Sequence, residues 1–280
     1  MIDKNQYYDY IEEFIDLYSK RPFKINSNGM RFNHSFGIFY ILKTKRPKLV
    51  IESGVDKGHS TWLIENTLDT EIVCIDPKPH NIIYKAKNGI YFEDDFVGID
   101  WTKFNINNSL CIFDDHQNAY SRLMEMKWWG FKSAIFEDNF PTDEGDSYSI
   151  KQAFDETGHE RIQLSEGFQQ STLRGKLIRY IEEKVLLKNY WRQSILRKSN
   201  KIDKVALGLN LNEYFEIPPI YINEINHFNK EWSGNYEIKS KPLFKNMEDI
   251  PKIEKILSDI PDDQLINEFS YCFISYVKLN

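Results

Sequence analysis

Apolar residues recur at helical spacing through residues 5–19, at Tyr7, Ile11, Phe14, Ile15 and Tyr18. That spacing predicts an amphipathic helix, which Arg21-Pro22 ends. Asn26-Ser27-Asn28-Gly29 is turn chemistry. Residues 34–44 are apolar almost all round, which predicts a second, well-buried helix. From Lys48 onward the pattern changes. Five short apolar runs, 48–51, 71–75, 89–93, 109–113 and 132–136, are separated by helical or loop segments. Among these are helices predicted at 60–67, beginning with Ser60 and Thr61, and at 118–129. Continuous apolar strands separated by helices predict a parallel sheet covered on both faces. Each run ends in carboxylates: Glu52, Asp76, Asp94-Asp95, Asp114-Asp115 and Glu137-Asp138. Ligands of such sheets bind at the carboxyl ends of the strands, so these acids stand on the rim where a site is expected. The alternative is that acids end strands because they favour turns.

Residues 140–218 differ in character. Gly145, Gly158, Gly167 and Gly175 break the pattern, and residues 172–198 predict a long amphipathic helix with a solvated charged face. After Pro218-Pro219 a helix is predicted near 247–258, and the alternating run 269–278 predicts a strand. No internal repeat or low-complexity linker is visible. The chain divides as one domain: N-terminal helices over 1–45, a core over 46–139, a helical cap over 140–215, and C-terminal strands and helix over 216–280.

Charge narrows the partners. Of 280 residues, 36 are Lys or Arg and 42 Asp or Glu, a net charge of −6, which argues against a nucleic-acid partner. A hydrophobic content of 41% supports a packed core and excludes global disorder. Cys74, Cys111 and Cys272 form no CxxC, zinc or disulfide pattern, which suggests a reducing compartment. The apolar runs fall short of the roughly 20 residues of a membrane helix, and the N-terminus has no apolar signal region. The expectation is a cytoplasmic protein without a membrane partner; a homo-oligomer is left open.

The segment LVIESGVDKGHSTW runs from a strand through Glu52, Gly54, Gly58, Ser60 and Thr61 into a helix. Glycines permit tight turns and close approach to a ligand, and a helix start offers free N–H donors. The spacing is not the GxGxxG of dinucleotide sites. Asp56 lies between the glycines and is a poor neighbour for a pyrophosphate, so a ligand without phosphates, such as S-adenosylmethionine, fits better. Asp76 stands where an α/β nucleoside site accepts hydrogen bonds from ribose hydroxyls. Either Asp94 or Asp95 is positioned to face the adenine.

Two further strands end in FDDH and FEDN. Asp115, Asp138 and Asn139 are candidate oxygen ligands for a hard cation such as magnesium. Zinc is disfavoured because His116 has no second His or Cys nearby in sequence. The metal-free alternative is a pair of strand-end acids held by main-chain donors.

With these residues in place the chain resembles the class I S-adenosylmethionine-dependent methyltransferases, and within them the metal-dependent catechol-type O-methyltransferases. The shared elements are E-x-G-x-x-x-G-x-S (Glu52, Gly54, Gly58, Ser60), Asp76, Asp115-His116 and Asp138-Asn139, spanning about residues 34–140. The resemblance implies a doubly wound, seven-stranded, mostly parallel α/β sheet of Rossmann-like methyltransferase type, its last strand antiparallel, with a helical insertion after strand five. It also implies magnesium held by Asp115, Asp138 and Asn139, and a cofactor site formed by Glu52, Gly54, Gly58, Ser60, Thr61, Asp76, Asp95 and His116. Catechol enzymes carry a lysine base where this chain has Asn118, so His116 and Asp114 are the candidate bases, with His116 alternatively lining the cofactor pocket. The region after strand five is more similar to sugar O-methyltransferases, and FEDNFPTDEGDSYS to cephalosporin-hydroxylase-type members. The expected acceptor is a hydroxyl of a sugar or glycan, which polar and aromatic groups of the insertion, among them Tyr148, His159, Gln163, Gln169, Gln170 and Tyr180, would suit; the alternative for most of them individually is that they only pack the insertion onto the sheet. A small phenol, an NAD-using enzyme and a non-catalytic binding module are the rival expectations.

Overall fold

The computed structural model describes residues 4–26, 29–141, 147–156, 201–222, 241–270 and 273–280. Helices α1 (Lys4–Tyr18) and α2 (Phe32–Lys45) precede the sheet. The first half of the sheet is β1 (Leu49–Ser53), α3 (His59–Thr67), β2 (Glu71–Ile75), β3 (Ile90–Phe92), β4 (Ser109–Phe113), α4 (Ala119–Trp129) and β5 (Ser133–Phe136). There follow α5 (Ile150–Phe154), α6 (Lys201–Asn210), β6 (Leu211–Glu216), α7 (Glu254–Leu257), α8 (Asp262–Ser270) and β7 (Ser275–Leu279).

The seven strands lie in the order β3-β2-β1-β4-β5-β7-β6. Strands β1 to β5 are mutually parallel, and β7 runs antiparallel to both β5 and β6. This is a doubly wound, Rossmann-like α/β sheet with its reversed strand, as expected. Strands β1, β2, β4 and β5 are buried on both sides because each alternates between two apolar layers, whereas β3 and β6 at the sheet edges are partly exposed. Val50, Cys74, Leu110, Ile112 and Ile135 face a layer formed with α1, α2, α3, α7 and α8. Ile51, Ile75, Cys111, Phe113 and Phe136 face a layer formed with α4, α5 and α6. Helix α2 is buried from Phe32 through Leu42, and α1 turns Tyr7, Ile11, Phe14, Ile15 and Tyr18 inward.

Several expectations are corrected. Glu52 lies within β1 rather than in the loop after it. Helix α3 begins at His59, one residue before the expected start, and Gly58 is its N-cap. Residues 211–215, expected in the helical cap, form β6 together with Glu216: all but Asn212, which sits at a register shift, pair with β7, and that pairing overrides a weak helical pattern. The run expected as a strand over 269–278 is the end of α8 followed by β7, because Phe269 is drawn into the core as a helical residue. Near 247–258 the chain forms a 3-10 turn, Met247–Asp249, and the short α7. The helix expected over 172–198 lies outside the described residues. So do His159, Gln163, Gln169, Gln170 and Tyr180. Tyr148 is fully buried in the α4–α6 layer, so it packs the core rather than facing a sugar. No helix among the described residues is long and apolar enough to cross a membrane.

Candidate functional site at the carboxyl ends of the strands

Register makes the rim level. Ser53 pairs with Ile75 and Phe113, and Phe113 with Phe136. The ladder continues past the strands: Gly54 N–H donates to Ile75 O, Asp114 N–H to Ser53 O and Glu137 N–H to Phe113 O. Gly54, Asp76, Asp114 and Glu137 therefore stand side by side.

The glycine loop is shaped from within the protein. Gly54 has φ +94°, and a Cβ there would meet the Asp114 carbonyl oxygen at 2.0 Å. Gly58 has φ +92°, and its Cβ would meet the Tyr84 carbonyl oxygen at 2.2 Å. Both positions require glycine, and the close approach is to main chain rather than to a ligand. Asp76 ties this loop to β2. Its Oδ2 accepts from Val55 N–H (2.9 Å) and Asp56 N–H (3.0 Å), and its Oδ1 from Lys78 N–H (2.7 Å). A carboxylate offers about four acceptor positions, so capacity remains for a hydroxyl.

Glu52 is fully buried, and Thr61 Oγ1 donates to its Oε2 at 2.6 Å. Burial pushes the Glu52 carboxyl up to about 7, against the opposing hydrogen bonds of Ser60, Thr61 and Cys74. Glu52, Ser60 and Thr61 are thus buried groups that bind one another and hold the loop to α3.

The two acids after β4 point to opposite faces, because successive side chains alternate. Asp115 turns toward the α4 layer. Its Oδ2 accepts from Ser53 Oγ at 2.7 Å and from Arg122 Nε at 3.0 Å. Arg122, 3% exposed, also reaches Asp95 Oδ1 at 2.6 Å and Glu125 Oε2 at 2.7 Å. Its guanidinium stands 5.9 and 5.8 Å from the Phe96 and Phe113 ring centres. Burial opposes the Arg122 charge, but Asp115, Asp95 and Glu125 outweigh it and keep the guanidinium protonated. Asp95, expected to face an adenine, is thus engaged by Arg122, and it also accepts from Val97 N–H at 3.3 Å.

Asp114 turns to the α2 face and meets Glu137. Asp114, His116 and Asp138 bring ligand atoms to within 4.8 Å of one another, and His116 Nδ1 lies 3.1 Å from Asp138 Oδ2. His116 has φ +52°, a sparsely populated conformation that aims a half-exposed ring outward. Glu137, 2% exposed, is in hydrogen-bonding contact with Asp114 and Asp138, and its Oε1 pairs with Nδ1 of His34 from α2. Burial first, then mutual repulsion, holds the Asp114 and Glu137 carboxyls well above the usual range. Burial also keeps His34 neutral, pulling it down to about 3.

The expected trio of Asp115, Asp138 and Asn139 is therefore not one set. Asp115 is committed to Arg122. Asn139 Oδ1 accepts from Lys151 N–H (3.0 Å) and its Nδ2 donates to Tyr214 Oη (3.1 Å), which bolts α5 and β6 to the rim. Asp114, His116 and Asp138 converge instead, with Glu137 beneath them. Asn118 is explained as well: it is the N-cap of α4, its side chain accepting from Ser121 N–H at 3.1 Å. His34, Glu137 and Arg122 were not among the expected site residues. A histidine inside an otherwise apolar helix was the one signal for His34.

No family model matches the chain, and no curated protein matches it. Solved structures align with parts of the chain. CmcI in its apo form aligns at 21% identity with a TM-score of 0.31, covering 42% of this chain and 57% of that one. A methyltransferase from Geobacter sulfurreducens aligns at 16% identity and a TM-score of 0.33, covering 46% and 68%. PaMTH1 of Podospora anserina, bound to SAH, aligns at 14% identity and a TM-score of 0.33, covering 47% and 62%. The chain thus spans little more than half the length of CmcI, and the fold assignment rests on the strand order of the sheet itself.

Proposed function

We propose that the protein is an S-adenosylmethionine-dependent O-methyltransferase that uses a divalent cation and methylates a hydroxyl of a sugar or glycan in the cytoplasm. One observation carries this reading: the glycine loop and the acid cluster share a wall, Gly54 lying against the main chain of Asp114. A methyl donor on the loop and an acceptor oxygen at Asp114, His116 and Asp138 would then be neighbours.

The residues fit both groups. The rim is dominated by carboxylates, with Arg122 the cation buried among them. That suits a sulfonium- and ammonium-bearing cofactor and disfavours a pyrophosphate. Asp76 would take the ribose and the N–H groups at the start of α3 the polar end of the cofactor. Asp114, Glu137 and Asp138 are crowded acids whose repulsion a hard cation would relieve, and carboxylate donors suit magnesium or manganese. When bound, the cation supplies charge for the acceptor oxygen as its proton leaves. His116, half-exposed with its Nδ1 3.1 Å from Asp138 Oδ2, is placed to take that proton, a role that the capping amide of Asn118 cannot fill. Holding donor and acceptor in line would provide most of the acceleration.

The test is methyl transfer to methyl glycosides and to catechols, with magnesium and with EDTA. Turnover of glycosides only when magnesium is present is expected. Faster turnover of catechols would shift the acceptor to a phenol, and full activity in EDTA would remove the cation. Calorimetry with S-adenosylhomocysteine tests the cofactor separately. Asp76→Ala should cost about 1.5–3 kcal/mol of binding, and unchanged affinity would displace Asp76 from the cofactor site.

A further inference from the structure

We propose that His34 is a positioning residue that holds Glu137 in the one orientation in which the strand-end acids can share a divalent cation. The inference rests on the cation reading above and adds to it a residue from outside the sheet.

The argument starts from placement. His34 lies on α2, 103 positions before Glu137, and is fully buried. A polar ring inside a helix whose neighbours Phe32, Phe36 and Ile38 are all core residues carries a desolvation cost. That cost is offset by its pairing with Glu137. Glu137 in turn sits at the end of β5 with its main chain fixed by Phe113 O, so only its side-chain torsions remain free. The ring removes that freedom by fixing Oε1. The remainder of the carboxyl group is then directed at Asp114 and Asp138, with which it is in hydrogen-bonding contact. Without the ring, Glu137 could turn into the space left on the α2 side, away from its repelling neighbours.

The geometry is that of an outer-shell imidazole orienting a carboxylate, in which the partner is not a ligand but sets how well the ligands converge. Loss of such a partner typically lowers metal affinity about 10–100-fold. His34→Asn offers a short side chain with an N–H donor near the position of Nδ1, whereas His34→Leu fills the space and offers none.

Manganese binding to the full chain, followed by the paramagnetic signal of the free ion, reads the effect without turnover. Wild type is expected to bind one manganese, His34→Leu to bind about 10–100-fold more weakly, and His34→Asn to recover most of the loss. Melting curves of all three proteins in EDTA check that they are folded. If His34→Leu fails to fold, the comparison runs between wild type, His34→Asn and His34→Phe. Equal affinity in wild type and both folded variants overturns the positioning role while leaving the cation. Absence of any manganese binding to wild type overturns the cation reading itself.

Discussion

Asp138→Asn removes one charge from the crowded strand ends while keeping the shape of the side chain. The ligand atoms of Asp114 and Asp138 lie within 4.8 Å of one another. Two full charges at that separation repel by about 3.5 kcal/mol at an effective dielectric of ~20. Asp138 is 10% exposed, so water screens part of this, and proton uptake by Asp114 relieves more. About 1–2 kcal/mol should remain in the metal-free protein at pH 8, corresponding to a Tm higher by roughly 2–8 °C in the variant. The direction with pH follows from the raised Asp114 and Glu137 carboxyls. The folded protein holds protons that the unfolded chain releases near pH ~4, so their contribution to stability falls as pH rises from there through the raised folded values. Melting in EDTA should therefore show the variant above wild type at pH 8, with the gap narrowing at pH 5.5. Magnesium at pH 8 should raise the Tm of wild type and leave the variant nearly unmoved. A variant less stable than wild type in EDTA at pH 8, or an equal response of both to magnesium, would refute the reasoning.

Arg122→Met should be more damaging than any change at the rim, because it leaves Asp95, Asp115 and Glu125 facing one another around an apolar side chain. A loss of about 3–5 kcal/mol in urea unfolding is expected, and a loss below 1 kcal/mol would show that the three acids readily find water. Asn118→Ala should cost about 1 kcal/mol of stability through the lost α4 cap, and S-adenosylhomocysteine affinity measured by calorimetry should stay within about twofold.

The parallel half of the sheet was visible in the sequence because β1, β2, β4 and β5 are short, almost continuously apolar runs too short for helices and separated by helical or turn segments. The rim acids were visible for the same reason. Their division of labour was not. Asp114 and Asp115 are adjacent, and which of them faces α2 and which faces α4 depends on the strand parity at the point where β4 ends, a matter of one residue. Assigning Asp115 to a cation placed it on the wrong side of the sheet, where Arg122 takes it. The glycines of the loop were legible as obligatory, but a backbone carbonyl and a ligand atom impose the same requirement on a missing Cβ. Asn118 looked like a lost base and is a helix cap. His34 and β6 depend on contacts between distant segments, and no local pattern encodes those.

Helix α2 bears on how this protein can be divided. Its buried residues share one apolar cluster with Val50, Leu110 and Ile112 of the sheet, and the same helix carries the imidazole that reaches Glu137. Interior and acidic rim are therefore tied together by one piece of chain. A fragment starting at the first strand would keep Glu52, Gly54, Gly58, Asp76 and the strand-end acids, yet it would strip apolar cover from the cluster that holds Val50, Leu110 and Ile112 and leave Glu137 without His34. The N-terminal segment is thus not a detachable appendage. Swapping it for that of another protein with the same sheet would graft a foreign second layer onto the strand-end acids.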